Sequence, residues 1–121
     1  GLNKVTKPMH YPLPKLEEVF DSIAQAKPQI FSCLDLSSAF WQVPLDPATK
    51  HKTSFVVHSG QFQFKKLTFG LTNAPAIFQM VMSEVLRGLN WSCAIVYIDD
   101  ICAFSKDLQE HKLHLQQIFN R

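Results

Sequence analysis

Two adjacent carboxylates, Asp99 and Asp100, interrupt the apolar run IVYIDDICAF at 95–104. An ionised carboxylate buried without a partner is very costly, so buried charges normally pair with an opposite charge or bind a metal. Residues of high strand propensity flank both acids, which predicts a hairpin with Asp99 and Asp100 at its tip. A polar hairpin turn without further function is the alternative for an Asp-Asp pair taken alone.

A second apolar run, FSCLDL at 31–36, carries a single carboxylate, Asp35. If this run and the acidic hairpin are neighbours in one sheet, three carboxylates converge. Two Mg²⁺ ions held about 3.5–4 Å apart by shared carboxylates are the recurring device for in-line phosphoryl transfer. Mg²⁺ takes oxygen ligands and usually shares its coordination shell with substrate phosphates. The three acids therefore favour a two-metal phosphoryl-transfer site.

The length of 121 residues allows one domain or part of one, and a hydrophobic fraction of 46% excludes a disordered chain. The net charge of +2 is too small to indicate a nucleic-acid binder by itself. The three cysteines, Cys33, Cys93 and Cys102, fall in predicted strands, where we expect buried free thiols. No apolar run is long enough to span a membrane and no signal peptide is visible, so we expect no membrane partner.

Hydrophobic periodicity and turn residues predict alternating helices and strands. In chain order the predicted elements are a helix over about 15–26, a strand over 29–36, a short helical turn over 37–41, strands 52–58 and 61–66 around a Ser59-Gly60 turn, a helix from the N-cap Asn73 to about Leu86, hairpin strands 93–98 and 101–104, and a last helix after the capping-box pattern Asp107-x-x-Glu110. Hairpins occur beside the alternation of strands and helices, so the predicted fold class is α+β, an antiparallel sheet with helices packed on one face.

An ordered series of short motifs extends through this sequence. The series is GLNKVT at 1–6, YPLP at 11–14, LDLSSAF at 34–40, KTSF at 52–55, FGLTNAPAIFQ at 69–79, YIDD at 97–100, FSK at 104–106 and EHKLHL at 110–115. In this order the motifs resemble the palm, with part of the fingers, of a reverse transcriptase. The chain is most similar to the gypsy-type class of LTR retrotransposons and their endogenous retroviral relatives, and the resemblance covers essentially the whole chain.

The resemblance implies a polymerase palm-type antiparallel sheet backed by helices, with part of the fingers, in an incomplete domain. Residues 1–121 would be a segment of a reverse transcriptase domain, with about 1–30 and 46–72 in the fingers and the fingers–palm junction, and about 31–45 and 73–121 in the palm. The implied activity is RNA- and DNA-templated DNA synthesis, by nucleotidyl transfer from a dNTP to a primer 3′-hydroxyl.

The resemblance also assigns the metal site. Asp35 and Asp99 would be the principal metal ligands, and Asp100 would complete the set near the primer 3′ end. The implied cofactor is two Mg²⁺ ions, with Mn²⁺ as the alternative. The reasoning from the residues and the resemblance select the same three acids.

The resemblance places the incoming nucleotide against residues 36–40. Backbone N–H groups of Ser38 and Ala39 would hold the triphosphate, since amides at a turn are good phosphate donors; a plain helix start is the alternative. Phe40 matches the family's steric gate against a ribose 2′-hydroxyl, although an aromatic residue after a strand is often only core. The full set of nucleotide-binding candidates is Leu36, Ser38, Ala39, Phe40, Phe69 and Gly70.

Phe69-Gly70 occupies the position where retroviral enzymes typically carry Gln-Gly, with the Gln near the nucleotide sugar. Phenylalanine cannot make a hydrogen bond to that sugar. Gly70 would let the backbone approach the nucleotide, or is simply a loop glycine. By the same resemblance Pro75, Gln79 and Tyr97 would contact the template or the primer. His111 and His114, spaced i and i+3, are expected to be ordinary helix residues and not metal ligands.

The implied partners are an RNA or DNA template, a DNA primer, a dNTP, and the remaining fingers, thumb, connection and RNase H regions of a parent polyprotein. We expect this chain to be an excerpt of a longer polypeptide, located in the cytoplasm within virus-like particles. Alone it should have little or no polymerase activity and should be aggregation-prone. The main alternative is a catalytically inert remnant of a retroelement that acts as a binding module or has no separate role. A viral RNA-dependent RNA polymerase is disfavoured by Phe40 and by the FGLTNAP segment at 69–75.

Overall fold

Three α-helices and five β-strands make up the computed structural model, which describes all residues, 1–121. In chain order the elements are α1 (Leu16–Ala26), β1 (Ile30–Asp35), β2 (Phe55–Val57), β3 (Gly60–Phe62), α2 (Ala74–Val85), β4 (Ala94–Tyr97), β5 (Asp100–Ser105) and α3 (Leu108–Phe119), with 3₁₀ turns at Leu2–Val5, Ala39–Gln42 and Lys50–Thr53. None of the helices has the length and apolar character needed to cross a bilayer.

The central sheet is antiparallel and has the strand order β1-β5-β4, so β5 is the middle strand. Cross-strand partners include Asp35 with Asp100 between β1 and β5, and Tyr97 with Asp100 between β4 and β5. In β1 exposure alternates along the strand, and Phe31, Cys33 and Asp35 are on the exposed side. The sequence places these three residues on one face for the same reason, the two-residue period of a strand.

The hydrophobic core lies between one face of this sheet and helices α2 and α3. The sheet contributes Val96, Ile101 and Ala103, all buried, while α2 contributes Phe78 and Met82. Residues spaced four apart lie on one side of a helix, which is why α2 can present a continuous apolar stripe to the strands. The predicted α+β class, with helices packed on one face of an antiparallel sheet, is confirmed.

Helix α3 is attached to the sheet by a buried histidine. His111 is 4% exposed, and its Nε2 lies 2.7 Å from Ser32 Oγ in β1. Its Nδ1 lies 2.9 Å from Ser105 Oγ in β5, and the same hydroxyl lies 2.7 Å from Nδ1 of His114. His111 lies in a helix, as expected, and it is a core residue whose two ring nitrogens connect α3 to two strands.

The N-terminus of α3 matches its predicted capping box. The Asp107 carboxylate accepts a hydrogen bond from the backbone N–H of Glu110 at 2.9 Å, and the Glu110 carboxylate accepts one from the N–H of Lys106 at 2.7 Å. Asn73, predicted as the N-cap of α2, makes no capping bond. Its side chain instead accepts from Met9 N and donates to Lys7 O, which ties the N-terminal segment to the start of α2.

The hairpin of β2 and β3 is shorter than predicted. Each strand has three residues, and Val57 pairs with Gly60, so the turn consists of His58 and Ser59 and not of Ser59-Gly60. Every residue of both strands is exposed, whereas one water-facing side was expected. No further strand pairs with this hairpin, and the ladder ends where Phe64 N donates to Thr53 Oγ1.

Replacing the buried histidine should destabilise the fold. His111→Ala would leave the hydroxyl of Ser32 without a partner, would remove one of the two imidazole partners of the Ser105 hydroxyl, and would open a cavity under α3. The expected cost is about 1–3 kcal/mol in the free energy of unfolding. Urea unfolding followed by circular dichroism measures this loss. Gln116→Ala, an exposed position on the same helix, is the matched control and should change stability by less than about 0.5 kcal/mol. Equal losses for the two variants would contradict the role given to His111.

Candidate functional site

The acidic end of the sheet is a tight hairpin between β4 and β5. Tyr97 pairs with Asp100, which leaves Ile98 and Asp99 as its two turn residues. Asp100 is thus the first residue of β5 and not part of the tip, and the predicted hairpin is shifted by one residue. The shift fixes the sheet face on which the Asp100 carboxylate lies, because side chains alternate between the two faces inside a strand but not in a turn.

The turn contains an unfavourable backbone conformation. Ile98 has φ +57°, in the left-handed region. A β-branched residue is rarely found there, since its side chain crowds the backbone. Such outliers persist only where surrounding contacts hold them, and they cluster at functional sites.

Gln79 of α2 supplies contacts of this kind. Its side chain is 1% exposed, its Nε2 donates to the carbonyl of Val96 at 3.1 Å, and its Oε1 accepts from the N–H of Ile98 at 2.6 Å. One amide therefore holds the backbone on the β4 side of the turn. This inward orientation was not predicted from the sequence, where Gln79 was expected to contact the template or primer. That contact stays a prediction.

Asp35 and Asp100 lie directly opposite each other on neighbouring strands. The backbone N–H of Leu36 donates to the carbonyl of Asp99 at 3.3 Å, so the next pair along the ladder, Asp35 with Asp100, is a non-hydrogen-bonded pair. In such pairs the Cα atoms are about 4.5 Å apart, and like charges directly opposite each other are destabilising. Both residues are exposed. The structure thus concentrates two negative charges at the open end of the sheet.

The third acid, Asp99, is half-buried at the turn. No group of three or more His, Cys, Asp or Glu side chains in the chain is arranged to hold a metal ion. The convergence of three carboxylates that the sequence predicts is therefore seen as a pair, Asp35 with Asp100, and a neighbouring third acid. The reason is local: Asp100 is in β5 opposite Asp35, whereas Asp99 is in the turn and has no ladder partner in β1.

The predicted nucleotide-binding residues lie beside this end of β1. Ser38 adopts a left-handed conformation with φ +53°, and its carbonyl accepts from Trp41 N at 2.9 Å, which starts the 3₁₀ turn. The predicted short helical turn is thus confirmed. Leu36 is half-buried against the core, and Ala39 is buried in it.

Phe40 joins the core to an exposed aromatic side chain. Its ring is 7% exposed and packs edge-to-face on Phe78, with 5.4 Å between ring centroids. Phe69, which is 71% exposed, packs edge-to-face on Phe40 with 4.9 Å between centroids. Gly70 follows with φ +84°, a conformation that favours glycine. Its carbonyl accepts from Asn3 Nδ2 at 2.6 Å, so the 69–70 loop is connected to the N-terminal segment.

The remaining predicted contacts with template or primer lie at the surface. Tyr97 is 47% exposed and, as the ladder partner of Asp100, lies on the same face as the acidic pair. Pro75 is exposed in the first turn of α2. Both residues are accessible, whereas Gln79 is enclosed.

The cysteines fall into two classes. Cys33 and Cys102 are cross-strand partners two residues from the acidic pair, and Cys33 is exposed, so the expectation of a buried thiol is wrong for it. Burial raises the pKa of the Cys102 thiol, and the neighbouring Cys33 thiol raises it further. Cys93 is buried as predicted; burial raises its pKa, with a smaller contribution from the Glu110 carboxylate.

Comparison with known proteins identifies the relatives of this chain. All residues, 1–121, match the family model described as reverse transcriptase (RNA-dependent DNA polymerase). The Pol polyprotein from transposon gypsy of Drosophila melanogaster is 37% identical over 97% of the chain, and the chain spans 11% of that polyprotein. An RNA-directed DNA polymerase homolog of Oenothera berteroana is 39% identical over 98% of the chain, which spans 84% of that protein. The crystal structure of the native prototype foamy virus protease-reverse transcriptase superposes with a TM-score of 0.80 and 27% identity, covering 97% of this chain and 15% of that one.

Removing the Gln79 amide should loosen the acidic turn. Gln79→Leu keeps the volume but leaves the N–H of Ile98 and the carbonyl of Val96 unpaired in the interior, at a cost of about 1–3 kcal/mol. Hydrogen exchange should also become faster at the Ile98 amide, because it loses its acceptor. Ser83→Ala is the control, since it removes a side chain near Gln79 and leaves both backbone bonds intact. An unchanged exchange rate at the Ile98 amide in Gln79→Leu would contradict the role given to the Gln79 side chain.

Proposed function

The chain belongs to the reverse transcriptase family, and on that premise we propose that it forms the catalytic palm segment of an RNA-directed DNA polymerase from a gypsy-type retroelement. In this function it would add dNTPs to a primer 3′-hydroxyl on an RNA or DNA template. The observation that carries the proposal is the Asp35–Asp100 pair beside the Asp99 turn, at the exposed end of the sheet. The chain spans only 11% of the gypsy polyprotein, so we propose the activity, substrates and partners for the longer protein of which it would be a segment.

The acidic pair supports a role in binding divalent cations. Two carboxylates directly opposite each other repel, and a cation between them removes that cost. Carboxylate oxygens are the ligands that Mg²⁺ prefers, so Asp35, Asp99 and Asp100 are the residues that would hold Mg²⁺ or Mn²⁺. When bound, a pair of such ions supplies the activation of the primer 3′-hydroxyl and the stabilisation of the departing pyrophosphate.

The contribution of the chain itself is positioning. Phosphoryl transfer depends on holding both reactants in a fixed geometry, and misplacement by about 1 Å is enough to slow such a reaction about 100-fold. The Gln79 amide fixes the backbone of the turn that carries Asp99, and ladder pairing fixes Asp100 against Asp35. These two constraints would keep the three carboxylates in one arrangement before substrate arrives.

The aromatic pair next to the acids supports a nucleotide subsite. Phe40 is 7% exposed and packs under the exposed ring of Phe69, so the two rings together would form a rigid wall for a deoxyribose placed beside Asp35. Backbone N–H groups at Ser38 and Ala39 would hold the triphosphate, and the exposed Tyr97 ring would contact the primer or template strand. The gate role of Phe40 has its own readout: Phe40→Val should lower the preference for dNTPs over rNTPs, and Trp41→Val should not.

A second candidate is an inert homolog that binds nucleic acid or has no separate role. The observation that favours it is the length of the Oenothera relative. This chain spans 84% of that protein, which is therefore far shorter than a Pol polyprotein. Retention of Asp35, Asp99 and Asp100 favours the polymerase instead. Primer extension by variants at these acids separates the two candidate functions.

Primer extension tests the proposal. We would place residues 1–121 in the corresponding segment of the gypsy transposon Pol polyprotein and supply an RNA template, a DNA primer, dNTPs and Mg²⁺. The chimera should extend the primer, and Asp99→Asn should reduce extension by at least about 100-fold, since it removes a charge from the site of phosphoryl transfer. The chain alone should extend the primer weakly or not at all.

The control for this assay is Asp21→Asn, an exposed acid on α1 that should leave extension unchanged. A folded chimera that never extends the primer would favour the inert homolog. Extension that survives Asp99→Asn would remove Asp99 from the catalytic set.

Binding of a divalent cation to the acidic pair should raise the thermal stability of the chain. Asp35→Asn removes one of two opposed charges, so without divalent cations it should stabilise the fold by about 0.2–1 kcal/mol. The same variant should lose most of the stabilisation that Mn²⁺ or Mg²⁺ gives to the unmodified chain, because ligand binding to the native state raises its stability. Thermal unfolding with and without each ion measures both effects.

Asp21→Asn is again the matched control and should keep the ion-dependent stabilisation. A variant Asp35→Asn that is less stable without ions, or equally stabilised by them, would contradict the interpretation of the acidic pair.

A further inference from the structure

The same sheet face that carries the acids also carries two thiols in register. Cys33 of β1 and Cys102 of β5 are direct cross-strand partners, two residues along each strand from Asp35 and Asp100. Cys33 is exposed and Cys102 is half-buried. The polymerase function proposed above makes no use of either thiol.

Hydrogen bonding on both sides of β5 fixes the type of this pair. The N–H of Leu36 donates to the carbonyl of Asp99, so Leu36 with Asp99 is a hydrogen-bonded pair. Because the two types of pair alternate along an antiparallel ladder, Asp35 with Asp100 and Cys33 with Cys102 are non-hydrogen-bonded pairs. On the other side of β5, Phe104 N donates to the carbonyl of Cys93 at 2.9 Å, so Phe104 and Cys102 direct their backbone groups to β4 and not to β1. The two ladders therefore agree on this alternation.

A non-hydrogen-bonded antiparallel pair has its Cα atoms about 4.5 Å apart, with side chains on the same face. Disulfides join cysteines whose Cα atoms are about 4.4–6.8 Å apart. Cys93, the remaining cysteine, pairs with Phe104 on the far side of β5 and is buried.

From this placement we propose that Cys33 and Cys102 form a redox modification site, in which a low-molecular-weight disulfide such as oxidised glutathione converts the two thiols into a cross-strand disulfide. Cys33 Sγ attacks one sulfur of the oxidant, releases the first glutathione thiol and forms a mixed disulfide. Cys102 Sγ then attacks Cys33 Sγ and releases the second thiol. Two S–H bonds break, one S–S bond forms, and two electrons and two protons reduce the oxidant to two thiols.

The bond would link the strands that carry Asp35 and Asp100 within one covalently closed loop, residues 33–102. A long closed loop restricts the unfolded chain more than a short one, so the crosslink should stabilise the native sheet. The inference holds whether or not the chain is part of an active polymerase, since it depends only on strand register.

The test treats the folded chain with oxidised glutathione, blocks the remaining thiols by alkylation, and maps its peptides by mass spectrometry. The expected product is a Cys33–Cys102 crosslink whose mass is lower by two hydrogens. The midpoint of thermal unfolding should rise by roughly 10 °C, and dithiothreitol should reverse both changes. Cys93→Ser is the matched control and should still form the crosslink, whereas Cys33→Ser should not.

Three outcomes would overturn the proposal. A mixed disulfide that persists on Cys33 without closing would show that the strand geometry does not allow the bond. Crosslinks of Cys93 as frequent as those of Cys102 would show that pairing occurs only in unfolded chains. A crosslinked chain with an unchanged or lower unfolding midpoint would show that the bond distorts the native sheet.

Discussion

The register of β5 between β1 and β4 is the constraint on which the rest of the site depends. Side chains alternate along a strand, so a slip of one residue would turn Asp100 and Cys102 toward the helices and Ile101 and Ala103 toward solvent. Burial of Ile101 and Ala103 against α2 and α3 resists such a slip, because it would expose their apolar surface and bury a charge. The hydrophobic core thereby determines which carboxylates face each other at the open end.

A polar side chain inside this core completes the site. Gln79 occupies a position on α2 that the apolar stripe would otherwise fill, and both ends of its amide are satisfied by the β4 backbone near the turn. Satisfied buried polar groups specify one arrangement, and unsatisfied ones are costly. The same logic applies to His111, whose two nitrogens meet hydroxyls from β1 and β5. In both cases a helix is attached to the sheet at a fixed position along its axis, which apolar packing alone specifies less strictly.

The periphery contrasts with this ordered centre. Three large apolar residues are exposed there: Trp41 is 54% exposed, Phe62 is 47% exposed and Phe119 is 69% exposed. Exposed apolar surface of this kind is typical of sites that contact other protein segments or ligands. The well-packed part of the chain is therefore the sheet with α2 and α3, and the acidic pair lies at its edge, where substrates could reach it.

Local periodicity, turn residues and short motifs were enough to predict the order of helices and strands, the α+β class, the three candidate acids and the family. The register of the strands did not follow from them. They did not determine that Asp100 begins a strand, that Asp35 faces it, or that Gln79 points inward. Nor did they reveal that Cys33 and Cys102 are partners. Except for the local pairing of Asp100 with Tyr97, these features depend on how segments far apart in the chain align with one another, and a strand's own residues do not specify its partner's register. They are set in the folded chain, where burial of one sheet face under two helices selects a single alignment of the strands.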